Sequence, residues 1–146
     1  MREQEINTDF EKMSFHDVSI NDVSRNDSKI IIVLSGIFVS KEHPGFNGKD
    51  LIVQNGVMTL YNVSNEKSLT WLNDVSPVSH KTPEYPIDEI MNAKFDGNTF
   101  HFDGFKETMP WHEWFIQATS LNLVAFALRL VFKVVCGGIG IALLTP

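Results

Sequence analysis

The chain has 146 residues, 43% of them hydrophobic and 11% aromatic, which is enough apolar material for one buried core and too much for a disordered polypeptide. Its formal charge is −6, and because Arg129 and Lys133 are the only charged residues after Glu113, residues 1–120 hold 10 basic against 18 acidic side chains. That balance argues against the phosphate-neutralising surface of a nucleic-acid binder and suits a protein partner with a basic surface.

Residues 1–12 are polar and charged, without the apolar run of a secretory signal, and are expected to form a flexible N-terminal extension with at most one turn of helix. Met13 reads as an alternative start. A β domain is expected over 13–120. Val18, Ile20 and Val23 suggest a first strand, the polar stretch 24–28 a turn, and the consecutive apolar residues Ile30 to Leu34 a central strand covered on both faces, with a bulge at Gly36. Lys41 to Lys49, with His43-Pro44-Gly45 and Asn47-Gly48, reads as a loop. Residues 50–63 return to strand, and Asn55-Gly56 offers a hairpin turn that would pair Val53 with Met58 and Leu51 with Leu60. Ser64 to Pro86 lacks clear periodicity and reads as a long loop, in which Leu69, Trp71, Leu72 and Tyr85 either pin the chain to the core or make contacts.

The strongest local signal lies at 90–103. Asp96-Gly97 suits a type I′ turn, and a two-residue loop there sets Ala93 opposite Phe100 and Met91 opposite Phe102, in agreement with the apolar alternation. Trp114, Ile116 and Ala118 share one side of what reads as the last strand of the sheet. Residues 121–146 then turn abruptly apolar. As a helix, this tail places Asn122, Arg129 and Lys133 on one stripe, which suits an amphipathic helix docked on the core or touching a membrane through 121–144 better than a span interrupted by two cations.

Groups for chemistry are sparse. The histidines His16, His43, His80, His101 and His112 show no metal-ligand spacing, the lone Cys136 has no polar neighbours, and no phosphate loop, nucleophile elbow or dinucleotide fingerprint occurs. Neither a metal nor a cofactor is therefore expected, and Cys136 suits a reducing compartment. On a strand, His101 and Asp103 share the side opposite Phe100 and Phe102, so a joint polar site is geometrically open, although a solvated sheet face explains the same pattern. Asn62-Val63-Ser64 matches a glycosylation acceptor without a secretory context.

Phe15-His16-Asp17-Val18 opening a strand, a loop-rich acidic middle, the Phe-x-Phe-x-Gly pattern from Phe100 to Gly104 and the closing Trp114-Phe115-Ile116-Gln117-Ala118 strand resemble small bacterial β-rich immunity proteins of polymorphic-toxin systems. The resemblance covers about residues 13–120, and the apolar tail departs from it. It implies a non-enzymatic protein that binds and blocks a secreted toxin encoded beside it.

The resulting expectation is a mainly β protein, an antiparallel β-sandwich or rolled sheet with a C-terminal apolar helix, acting in the cytoplasm as a toxin-neutralising or similar binding protein. Trp71, Asp74, Glu84, Tyr85, Asp88 and Glu89 are the expected partner-binding residues, because acids there sit by sequence beside two aromatics. The alternatives are a membrane-attached accessory protein held by its C-terminal segment and an enzyme using His101 and Asp103.

Overall fold

A computed structural model describes residues 4–46, 48–133 and 139–143, with side chains described through Val131. In chain order its elements are β1 (Gln4–Ile6), a 3-10 turn (Phe10–Lys12), β2 (Met13–Ser14), β3 (Val18–Asn26), β4 (Lys29–Ser35), β5 (Ile37–Val39), a second 3-10 turn (Pro44–Phe46), β6 (Asp50–Tyr61), β7 (Asn65–Trp71), β8 (Pro77–Ser79), β9 (Glu89–Phe95), β10 (Thr99–Lys106), β11 (Met109–Gln117), β12 (Ser120–Lys133) and β13 (Ile139–Leu143). The chain is mainly β, and its strands form one large antiparallel sheet in the order β1-β12-β6-β4-β3-β9-β10-β11-β7-β8. Strand β13 pairs with β12, β5 with β6, and β2 with β5.

Period-two alternation builds the core. Ile32 and Leu34 of β4, Met58 and Leu60 of β6, Phe100 and Phe102 of β10, and Trp114 and Ile116 of β11 are fully buried in one apolar cluster. Burying each such side chain contributes about 1.5–3 kcal/mol. No helical layer among the described residues covers this face, so the sheet itself must supply the cover, together with residues 10–15. Phe10 lies edge-on to Phe100 at 5.4 Å between ring centroids, and Phe15 edge-on to Phe102 at 6.0 Å. Residues 1–12 are thus not a loose extension where the structure describes them. Gln4–Ile6 pairs with β12, and Ile6 and Phe10 are buried. An apolar residue spaced every few positions among charges was too weak a signal to predict this.

The 90–103 hairpin forms with the expected faces and a different register. Phe95 pairs with Phe100, Lys94 with His101 and Ala93 with Phe102, so the turn centres on Gly97-Asn98 rather than Asp96-Gly97. Moving the turn by one residue moves every partner by two, which leaves each side chain on its own face. Gly97, at φ +97°, occupies the first central position, where a type II′ turn needs glycine. Asp96 accepts the backbone N–H groups of Asn98 and Thr99 on Oδ1 at 2.9 and 2.8 Å. The observed register stacks Phe95 on Phe100 with centroids 4.1 Å apart and planes within 11°, whereas the expected one would face Phe95 with Asn98.

Asn55-Gly56 is not a turn. Strand β6 runs straight through it, with Gly56 between Leu34 of β4 and Ala125 of β12, and the long strand is satisfied by partners on both sides rather than by folding on itself. At Gly36 the chain breaks between β4 and β5, yet both pair with β6 in one unbroken register. The 64–86 stretch, read as a loop, holds β7 and β8. Strand β7 escaped the pattern because its inward residues, Glu66, Ser68 and Thr70, are polar.

The expected C-terminal helix is replaced by strands. Leu121, Leu123 and Ala125 are buried in alternation, β12 pairs with β6 along most of its length, and β13 pairs with Arg129 to Lys133. A spacing of four, as between Arg129 and Lys133, returns to one side of a strand as well as to one stripe of a helix, so it could not decide between them. Cys136 and the rest of 134–138, together with 144–146, lie outside the described residues. No described helix is long and apolar enough to cross a membrane, a statement that does not bear on strands.

Candidate functional site

Four strands, β9, β10, β11 and β7, present an outer face whose rows follow from the register. Asn92, Asp103, Glu113 and Leu69 form one row; Lys94, His101, Phe115 and Lys67 form the next. The inner positions between them carry the core residues Phe102, Trp114, Phe100 and Ile116, so the outward set is what alternation leaves for solvent or a ligand.

At the end of this face, where β7 runs into residues 72–75, lies a cleft of about 650 Å³. Asp74, Asp103 and Glu113 contribute three carboxylates to its wall, Trp71 and Trp111 two indoles, and no lysine, arginine or histidine lines it among the described residues. Glu113 is the best-held of the acids. Its Oε1 accepts from His101 Nε2–H at 3.0 Å and its Oε2 from Trp71 Nε1–H at 2.7 Å. The His101 ring in turn stacks on Phe115, with centroids 4.2 Å apart and planes within 6°. Asp103 accepts from Asn92 Nδ2–H at 2.9 Å. His101 and Asp103 therefore share a face, as expected from alternation, but each binds a different neighbour rather than the other.

Among the described residues, the large exposed hydrophobic side chains lie on the segments that line the cleft or adjoin them. Leu72, Val75 and Val78 come from the β7–β8 connection and from β8, and Met109 and Trp111 from the start of β11. Val75 is 87% and Leu72 64% exposed. Exposed apolar groups gathered beside polar ones mark interaction sites far more often than single exposed residues do.

No family model, curated protein or solved structure matches the chain. The site is therefore read from its own chemistry.

Of the six residues expected to bind a partner, the structure brings only Trp71 and Asp74 to this cleft. Tyr85 is half-buried, donates its hydroxyl to the Ile20 carbonyl and carries Lys106 Nζ 4.0 Å above its ring. Asp88 is engaged by the same Lys106 at 3.0 Å and by the Glu107 backbone N–H. Burial pushes the Asp88 carboxyl up, but these two donors outweigh it and hold its pKa below the usual carboxylate range. Glu89 sits within β9, paired with Ser19 and Phe105. Glu84 lies at a separate, shallower hollow, where its carbonyl accepts from Arg25 Nη1 at 2.9 Å. Arg25 also grips Glu66, which accepts Trp114 Nε1–H at 2.9 Å and so satisfies the one polar atom of a fully buried indole.

Trp111, Glu113 and Asn92 were not among the residues expected from the sequence to bind a partner. The alternation that placed Trp114 and Ile116 inward also put Glu113 outward, but only the pairing of β11 with β7 and β10 shows that it meets Trp71 and His101. Among the described residues, no three His, Cys, Asp or Glu side chains come together as a metal-holding group. The arrangement offers acceptors, aromatic faces and an apolar rim, a combination chemically suited to a cationic group.

Proposed function

We propose that the protein is a non-enzymatic binding protein that docks a partner with a basic surface at the cleft between Trp71 and Trp111. The observation that carries this reading is the cleft's composition: three carboxylates, two indoles and, among the described residues, no basic side chain, with exposed Leu72, Val75 and Met109 at its margin. A cation entering the cleft gains both carboxylate and aromatic-face attraction, while the apolar margin supplies the desolvated contact from which interfaces draw most of their affinity. The acidic balance of residues 1–120 favours fast encounter with such a partner.

The rolled sheet we infer from the self-covered core makes a rigid platform for this face, and the resemblance to immunity proteins names the class of partner, a toxin domain neutralised in a reducing cytoplasm. Co-expression with the product of the adjacent gene tests this. The wild-type chain should co-purify with that product and protect the cell from it. A chain carrying Asp74→Asn, Asp103→Asn and Glu113→Gln should remain folded and lose both properties. Retention of both would remove the cleft from the function.

A further inference from the structure

The cleft does not stand alone. Leu72 lines it and also lines a second cavity of about 220 Å³, whose mouth is formed by Leu72, Val78 and Met109. The floor of this cavity is polar, and most of its polar atoms are engaged within the protein. His80 donates from Nε2 to the Pro86 carbonyl at 2.8 Å and accepts the Thr82 N–H on Nδ1 at 2.9 Å. His112 meets Thr70 Oγ1 through Nδ1 at 3.0 Å, and its Nε2 lies beneath the surface without a hydrogen-bond partner. An occupant thus meets mainly the apolar mouth. Lys81, Lys106 and the single carboxylate Glu107 also border this cavity, so it lacks the excess of acids that would draw a cation to the carboxylate cleft.

We propose that the two cavities are subsites of one docking surface, the larger taking an arginine or lysine side chain and the smaller an apolar side chain from the same partner segment, which straddles Leu72. This rests on the docking function proposed above and adds to it the chemistry of the segment recognised. Charge complementarity selects the occupant of the first subsite, and the exposure of Leu72, Val78, Met109 and Trp111 marks the continuous strip over which the segment lies. Recognition runs through inserted side chains rather than through strand addition. Strand β8 ends the sheet's path but has three residues, and its Pro77 has no N–H to offer.

Capped peptides titrated into the isotope-labelled full chain provide the test. The probe carries one arginine and one leucine two positions apart; one control replaces the arginine with glutamate, the other the leucine with serine. With the probe, the indole N–H signals of Trp71 and Trp111 and the methyl signals of Leu72, Val78 and Met109 should shift along one common saturation curve. Each control should bind about tenfold or more weakly, and the serine control should move the indoles alone. Leu72→Ser, at an exposed position that should not unfold the chain, should weaken the probe by about tenfold, toward the affinity of the serine control.

Two independent curves in the wild-type chain, shifts in one set only, or no shifts at all would overturn the proposal. If the peptides fail while the adjacent gene's product still binds in a carboxylate-dependent way, the paired subsites fall and the docking function stands. If the peptides bind as described while that product does not, the surface stands and its assignment to a toxin falls.

Discussion

Glu113 holds Trp71: the indole Nε1–H donates to Oε2 at 2.7 Å while the other carboxylate oxygen accepts from His101 Nε2–H at 3.0 Å. One side chain from β11 thereby fixes an aromatic from β7 and an imidazole from β10 before any partner arrives, and a surface ordered in advance loses less entropy on binding.

Glu113→Ala should therefore loosen the cleft as well as remove a charge. A charge-assisted hydrogen bond contributes about 1.5–3 kcal/mol, and both donors would lose their acceptor at once. The urea midpoint should fall and the Trp71 indole N–H should exchange faster with solvent. An unchanged midpoint with unchanged exchange would show that the carboxylate does not order this face.

The hairpin register is open to a double-mutant cycle. Phe95 and Phe100, stacked 4.1 Å apart, should show a coupling of about 0.5–1.5 kcal/mol when replaced singly and together by alanine. Gly97→Val should cost about 1–3 kcal/mol, because a β-branched residue is placed at φ +97°. Additive effects at Phe95 and Phe100 would return the turn to Asp96-Gly97.

Strand faces were legible in the sequence where one side of the strand was apolar. Trp114, Ile116 and Ala118 were placed on one side from their spacing, and the structure buries all three. Legibility failed in two physical situations. Strand β7 turns the polar residues Glu66, Ser68 and Thr70 inward, where Arg25, Trp114 and His112 satisfy Glu66 and Thr70, and no hydrophobicity pattern encodes such a partnership. Strand β12 carries apolar residues at nearly every position, so helical and strand periods fit it equally well. The cleft was half legible for the same reason: Trp71 and Asp74 are neighbours in sequence, whereas Asp103, Trp111 and Glu113 join them only through strand pairing.

The strand character of the C-terminal segment makes its own prediction. Leu123 is fully buried and should cost about 2–5 kcal/mol as alanine, while Val124→Ala, on the other side of the strand, should cost much less. Equal costs, or a periodicity of three to four across 121–128, would restore the helix.

Two buried imidazoles set the expected response to pH. Burial lowers the pKa of His80, and burial followed by the neighbouring His80 lowers that of His112; Lys106 acts in the same direction on both, while Glu84 and Asp88 oppose it. Their rings lie 4.7 Å apart. In the unfolded chain the imidazoles take up protons near their ordinary value of about 6.5, above the folded-state values, so stability is full above about that pH and falls as pH drops through it. Asp88, held below the carboxylate range, contributes above that range and loses its effect only at more acidic pH, which separates the two windows. Urea midpoints should fall between about pH 7.5 and about pH 5, and His112→Gln should flatten that slope. A slope unchanged by His112→Gln would place the titration elsewhere.

Charge placement distinguishes the cleft from the other acids most directly through association kinetics with the adjacent gene's product, followed by stopped-flow tryptophan fluorescence at low and high salt. Asp74→Asn with Asp103→Asn should slow association at low salt by about tenfold and shrink its salt dependence, whereas Glu84→Gln, outside the cleft, should leave both nearly unchanged. Superimposable kinetics for the wild-type chain and the Asp74→Asn, Asp103→Asn variant, with the Glu84→Gln variant slowed instead, would contradict docking at the Trp71–Trp111 cleft.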